Sequence, residues 1–218
     1  MRTLRLSSRL VAACLLAVQS QAQTSSQDNP DATSNAAPGA WGVSVTADGN
    51  AVPHSEFYVS PVIATDHGWL HLEGRYNYEN QRTGSLWVGY NFSVGSTLAL
   101  RVTPILGGVF GDTTGVAPGC EISLTYKRLT ISSTQEYVFD TKDRSGSFFY
   151  SWPQLTYSPR EWVHFGIVAQ RTKAYHTDLD VQRGVLAGFT HKKITLTTYV
   201  FNAGWTEPTV VLEVVYSR

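Results

Sequence analysis

His71, Glu73 and Arg75 stand two residues apart in the stretch WLHLEGRYNYEN (69–80). An imidazole, a carboxylate and a guanidinium therefore share one edge of an extended chain, because side chains of a strand alternate between two faces. Further groups able to do chemistry recur on the polar side of other alternating segments: Arg101, Glu121, Glu136, Gln154, His164 and Glu213. Such a set can form a charged constriction that selects small polar solutes, or a self-satisfied polar network. Paired acids such as Glu73 and Glu121 would also suit glycoside hydrolysis, given the right separation. The chain lacks G-x-S-x-G, H-E-x-x-H and any Cys/His ligand spacing. TDLD (177–180) offers two acids where Ca²⁺ takes about six to eight oxygens. No catalytic residue, metal ligand or cofactor is assigned.

The elements that position these residues alternate with period 2. Across from His71, Glu73 and Arg75 lie Leu70, Leu72, Gly74, Tyr76 and Tyr78. Twelve such segments follow residue 40: 41–51, 55–65, 69–79, 84–94, 97–110, 119–127, 129–140, 147–158, 161–172, 181–191, 194–202 and 209–217. Most are long enough for a tilted strand to cross a bilayer, which takes about 9–11 residues. Globular strands are typically about 5–6 residues.

Connections after even-numbered strands are tight, as at 66–68, Gly95-Ser96, Lys127-Arg128, Pro159-Arg160 and Lys192-Lys193. Those after odd-numbered strands are mostly longer, as in GDTTGVAPG (111–119), TKDRSGS (141–147), KAYHTDLD (173–180) and AGWTEP (203–208), with short exceptions near Pro53 and Gln81. The predicted fold is all-β, an antiparallel up-and-down transmembrane β-barrel of about 12 strands. It has short periplasmic turns and longer external loops. Apolar faces then meet lipid and polar faces line the interior. Aromatic residues near strand ends (Tyr78, Phe92, Tyr126, Tyr137, Phe139, Phe149, Tyr157 and Tyr216) read as interfacial girdles. Pro61, Pro104 and Pro153 each remove a ladder donor and mark a bulge, a rim or a shorter strand.

The 218-residue chain carries 17 basic and 17 acidic side chains, and no basic excess argues for nucleic acid. Residues 1–22 read as a secretory signal peptide: Arg2, Arg5 and Arg9, an apolar run from Leu10 to Val18, and Ser20-Gln21-Ala22 before the cut. Residues 23–40 contain no large aliphatic or aromatic residue and read as a disordered lead-in to the barrel at 41–218. Cys14 leaves with the signal, so Cys120 has no partner for an intrachain disulfide.

The segments LHLEGRYNYEN, SLWVGYNF, FGDTTGVAPG, QEYVFD, FFYSW and QRTKAYHTDLDVQRG resemble those of bacterial outer-membrane β-barrels, within an uncharacterised porin-like group. The resemblance covers roughly residues 41–218. It implies residence in the outer membrane of a Gram-negative-type bacterium, contact with outer-membrane lipid and insertion by the outer-membrane assembly machinery. It implies no particular activity. Many such barrels end on an aromatic residue, whereas here Ser217 and Arg218 follow Tyr216.

Counted up from the short-turn end, Glu73, Arg75, Arg101, Glu121, Glu136, Gln154 and Glu213 fall into a mid-height band, with His71 and His164 nearer the periplasm. The leading reading is a small porin-like passive channel for small polar solutes, cations or neutral molecules before anions. The alternative is a structural or surface-interaction barrel whose lumen is plugged by its own charges. A third reading, a lipid hydrolase at the external rim, would have to use His54 beside Ser55, or His176, and no motif surrounds either.

Overall fold

The computed structural model describes residues 40–174, 180–204 and 208–218. The chain forms thirteen strand segments: β1 (Gly42–Ala51), β2 (Tyr58–His67), β3 (Leu70–Tyr76), β4 (Thr83–Tyr90), β5 (Phe92–Val94), β6 (Leu98–Gly111), β7 (Gly115–Tyr126), β8 (Leu129–Asp140), β9 (Phe148–Arg160), β10 (Val163–Ala174), β11 (Asp180–His191), β12 (Ile194–Phe201) and β13 (Thr209–Ser217). Each pairs antiparallel with its sequence neighbours, except that β4 and β5 do not pair with each other but both pair with β6; β1 pairs with β13, so the sheet closes on itself as a barrel of twelve wall positions. The predicted export signal and nearly all of the 23–40 lead-in lie outside the described residues.

β4 and β5 occupy one wall position. Gly89 opposes Ile105 and Phe92 opposes Val102, so the register on β6 is unchanged across the break. Pro104 lies opposite the gap and has no N–H to donate. Pro153 acts likewise. Val168 pairs with Gln154 and Arg171 with Ser151, but the β9–β10 ladder is open between them. Pro61 sits one residue beyond the last β2–β3 pair, Val62–Arg75.

Apolar side chains point outward. Ile63, Leu86, Leu106, Ile131, Ile167 and Val185 are each more than half exposed. Each gains about 1.5–3 kcal/mol on leaving water, so an outer face of this kind requires an apolar surround. The aromatic girdle at the short-turn end is denser than the sequence suggests, because turn residues join it. Trp69 stacks on Tyr90 (5.3 Å), Tyr90 meets Phe92 at a tilt (4.4 Å), and Trp162 meets Phe189 edge-on (5.9 Å).

Three expectations are corrected. Tyr78 does not face lipid: Asn77 adopts a left-handed conformation (φ 55°), β3 ends at Tyr76, and Tyr78 turns inward to 2 % exposure. GDTTGVAPG is not a long loop, since β7 begins at Gly115 and pairs with both β6 and β8. The connections near Pro53 and Gln81 are not short, spanning 52–57 and 77–82. The two ends nonetheless remain unequal, because two- and three-residue turns at one end face mostly longer connections at the other. The loop 173–180 falls largely outside the described residues.

Candidate functional site in the barrel interior

Period-2 alternation in β3 aims His71, Glu73 and Arg75 into the barrel, where all three are buried. Arg75 is the hub. Its Nε donates to Glu73 Oε1 (2.6 Å) and its Nη2 to Glu73 Oε2 (3.1 Å). Its Nη1 reaches Glu136 Oε2 on β8 (2.8 Å) and lies 3.6 Å from Glu79 Oε1; its Nη2 lies 3.9 Å from Glu121 Oε1 on β7. β3 and β8 stand four wall positions apart, so this side chain crosses part of the lumen.

Arg75 is sandwiched between rings, with Tyr78 at 4.2 Å and Trp87 at 4.3 Å from its Cζ. A planar guanidinium suits both the carboxylate fork and this stacking, whereas an ammonium would suit neither. Gly107 makes room for Trp87, since a Cβ there would lie 2.5 Å from the indole. Glu79 accepts from Ser85 Oγ (2.6 Å) and Trp87 Nε1 (3.2 Å). Tyr78 and Glu79 belong to the β3–β4 connection, not to the wall, so a loop segment is packed into the lumen.

A chain of polar contacts descends from the hub towards the short turns. His71 Nε2 faces Glu73 Oε2 (3.3 Å) and its Nδ1 faces Asp66 Oδ1 (2.9 Å). Asp66 also accepts from Asn91 Nδ2 (2.6 Å) and lies 3.3 Å from Arg101 Nη2. The break between β4 and β5 has a use here, because Asn91 accepts from Arg101 (3.2 Å) and Thr103 (2.7 Å). The side chains of Asp66, Arg101 and Glu121 remain about one-fifth exposed and line a vestibule at this end. His71, Glu73 and Glu121 each bring a ligand atom within 4.8 Å, a spacing that could hold a metal ion. Arg75 already engages both oxygens of Glu73, so the carboxylate is committed to the guanidinium.

Elsewhere in the interior an aromatic cluster forms. Trp152 on β9 meets Tyr199 (5.5 Å) and Phe201 (5.1 Å) on β12, three wall positions away. Trp152, Tyr199, Phe201, Val138 and Val211 are at most 1 % exposed. Hub and aromatic cluster are both packed inside the barrel, with side chains at or near zero exposure.

The nine residues singled out from sequence divide as follows. His71, Glu73, Arg75, Arg101, Glu121 and Glu136 join one network. Gln154 donates to Ser132 Oγ on β8 (3.0 Å). His164 lies at the short-turn end against Thr197 Oγ1 (3.2 Å), in space left by Gly188. Glu213 accepts from Tyr199 (3.3 Å) and sits directly across from Asp48 on β1, both fully buried. Sequence reasoning missed Asp48, Asp66 and the indole and phenol around Arg75. Asp48 alternates in phase with Thr46 and Asn50, a signal the sequence carried. The His54–Ser55 pair lies in an exposed turn with no hydrogen bond between the two side chains; His176 lies outside the described residues.

No protein-family model matches the chain, and no curated protein matches it. Solved structures do. A KdgM porin superposes with a TM-score of 0.57 over 80 % of this chain and 99 % of its own, at 12 % identity. A KdgM porin in complex with disordered oligogalacturonate gives 0.56 over 81 % and 99 %, at 11 % identity. The barrel therefore has the fold of porins.

Proposed function

We propose that this chain is an outer-membrane channel of porin type for small polar solutes, cations before anions, closed at mid-height in the state described. The observation that carries this reading is the way the lumen is closed. Arg75 is covered by Tyr78 and Glu79, which lie in the β3–β4 connection and not in the wall. Among the described residues, the interior holds Asp48, Asp66, Glu73, Glu79, Glu121, Glu136 and Glu213 against Arg75, Arg101 and the imidazole of His71, which faces Asp66 and Glu73. That excess of carboxylates favours cations and repels polyanions. The sugar-acid oligomer bound by the KdgM porin is thus a poor candidate ligand here, despite the shared fold.

Residence in the outer membrane, export through the 1–22 signal and insertion by the assembly machinery belong to the same proposal. Membrane residence is supported by the exposed apolar row Val210, Leu212, Val214 and Tyr216 on the last strand. The competing reading, a plugged structural barrel, draws on the same mid-height burial. Planar-bilayer recording separates the two. The channel reading expects small cation-selective currents, and Glu121→Gln should lower the selectivity, since Glu121 stands where vestibule meets hub. A folded barrel that passes no current supports the plugged reading.

A further inference from the structure

Among the described residues, the apolar outer face is interrupted by a cationic cluster near one rim. On β10 the outward positions run Phe165, Ile167, Ala169 and then Arg171 and Lys173; on β11 they run Phe189, Ala187, Val185 and then Arg183. Arg183 is paired with Ala169, and Arg171 with Val181, so the two guanidiniums lie diagonally on one face of neighbouring strands. Among the described residues no carboxylate pairs with either. Lys173 lies across from Phe149, and the Arg183 carbonyl accepts from Asn202 N (2.8 Å) just past the end of β12. The cluster therefore sits near the long-loop rim, where the penalty for a lipid-facing charge fades.

Below the arginines the wall is hollowed. The open ladder at Pro153, together with the small outward Ala169, leaves a groove of about 790 Å³ on the outer surface. Ile131, Leu155, Ile167 and Val181 line it, and Arg171 and Arg183 stand at one end. It is apolar along its length and cationic at its tip. That matches an acyl chain with an anionic headgroup.

We infer that this groove binds a phosphorylated glycolipid of the outer leaflet, its phosphate held by Arg171 and Arg183 and one acyl chain lying along Leu155 and Ile167. The inference rests on the outer-membrane reading, which places the long-loop end in the outer leaflet. Two guanidiniums and a nearby ammonium complement a headgroup carrying more than one negative charge; a zwitterionic phospholipid offers no net charge to them.

Native mass spectrometry of the detergent-folded barrel tests it, with bisphosphorylated lipid A, phosphatidylglycerol and phosphatidylcholine as probes. The expected result is a one-to-one lipid A adduct, weakened about ten-fold or more in Arg171→Ser/Arg183→Ser. Arg160→Ser, an exposed arginine at the opposite rim, should leave it unchanged. Ile167→Trp, which fills the groove and keeps both arginines, should weaken it as well. Equal retention by wild type and the double variant overturns the inference, as does equal retention of phosphatidylglycerol. Each variant is first checked for the folded, heat-modifiable form. A barrel that inserts into vesicles and conducts but holds no lipid A loses this inference alone; one that never inserts loses the membrane reading and the inference with it.

Discussion

Replacing Arg75 by alanine withdraws the guanidinium that Glu73 and Glu136 contact directly at the hub, at 2.6 and 2.8 Å, and that Glu79 and Glu121 approach at 3.6 and 3.9 Å. Arg75 and Glu136 have fully buried side chains, so the carboxylates left behind are not rehydrated without opening the barrel. Breaking a buried pair by removing one partner typically costs about 3–5 kcal/mol. With a urea slope of about 2 kcal/mol per M, the unfolding midpoint should fall by about 2 M. The assay is equilibrium urea unfolding of the barrel folded in detergent or vesicles, followed by tryptophan fluorescence, since Trp87 stacks on Arg75 and reports the hub. Arg75→Lys keeps the charge but loses the fork and the flat stacking, so its loss should be about half as large. A double-mutant cycle of Arg75→Ala with Glu136→Gln should give a coupling of about 0.5–3 kcal/mol although the residues are 61 apart in sequence. A loss below about 1 kcal/mol for Arg75→Ala, with zero coupling, would refute the hub.

Gly107→Ala should destabilise the barrel by about 1–3 kcal/mol and shift Trp87 emission, because the new methyl meets the indole; urea unfolding and the emission maximum check this. Trp152→Ala removes the centre of the aromatic cluster and should cost about 3–5 kcal/mol by the same unfolding assay, while raising single-channel conductance. Pro104→Ala restores an N–H opposite the β4–β5 break; hydrogen exchange at Tyr90 should slow if the missing donor is what opens that ladder, while Asn91, already bonded to Trp69 O, should not change.

The barrel itself was legible because alternation, strand length and unequal connections are local properties. Leu70 and Leu72 opposite His71 and Glu73 are enough to define two faces, and the length of the segments turns the apolar face towards lipid. Tyr78 was misplaced because period-2 counting was carried through Asn77, where a left-handed residue ends the phase. GDTTGVAPG reads as a loop from its glycines and proline. In the wall Pro118 points outward, and Gly115 and Gly119 admit backbone and Ile105 so closely that a Cβ would clash. The interior charges were identifiable residue by residue, but their partnership was not. Arg75 finds Glu136 only once closure sets β3 four positions from β8, and Asp48 meets Glu213 only through the pairing of first strand with last.

The central claim is a cation-preferring porin-type lumen held shut by a loop residue over Arg75. It is tested most directly by paired planar-bilayer recordings of the wild type and Tyr78→Ala in a KCl gradient. A small wild-type conductance, a larger one in the variant and a reversal potential that marks cation preference in both are expected. Absence of current from both proteins, each shown to be folded and inserted, would contradict it, as would anion preference.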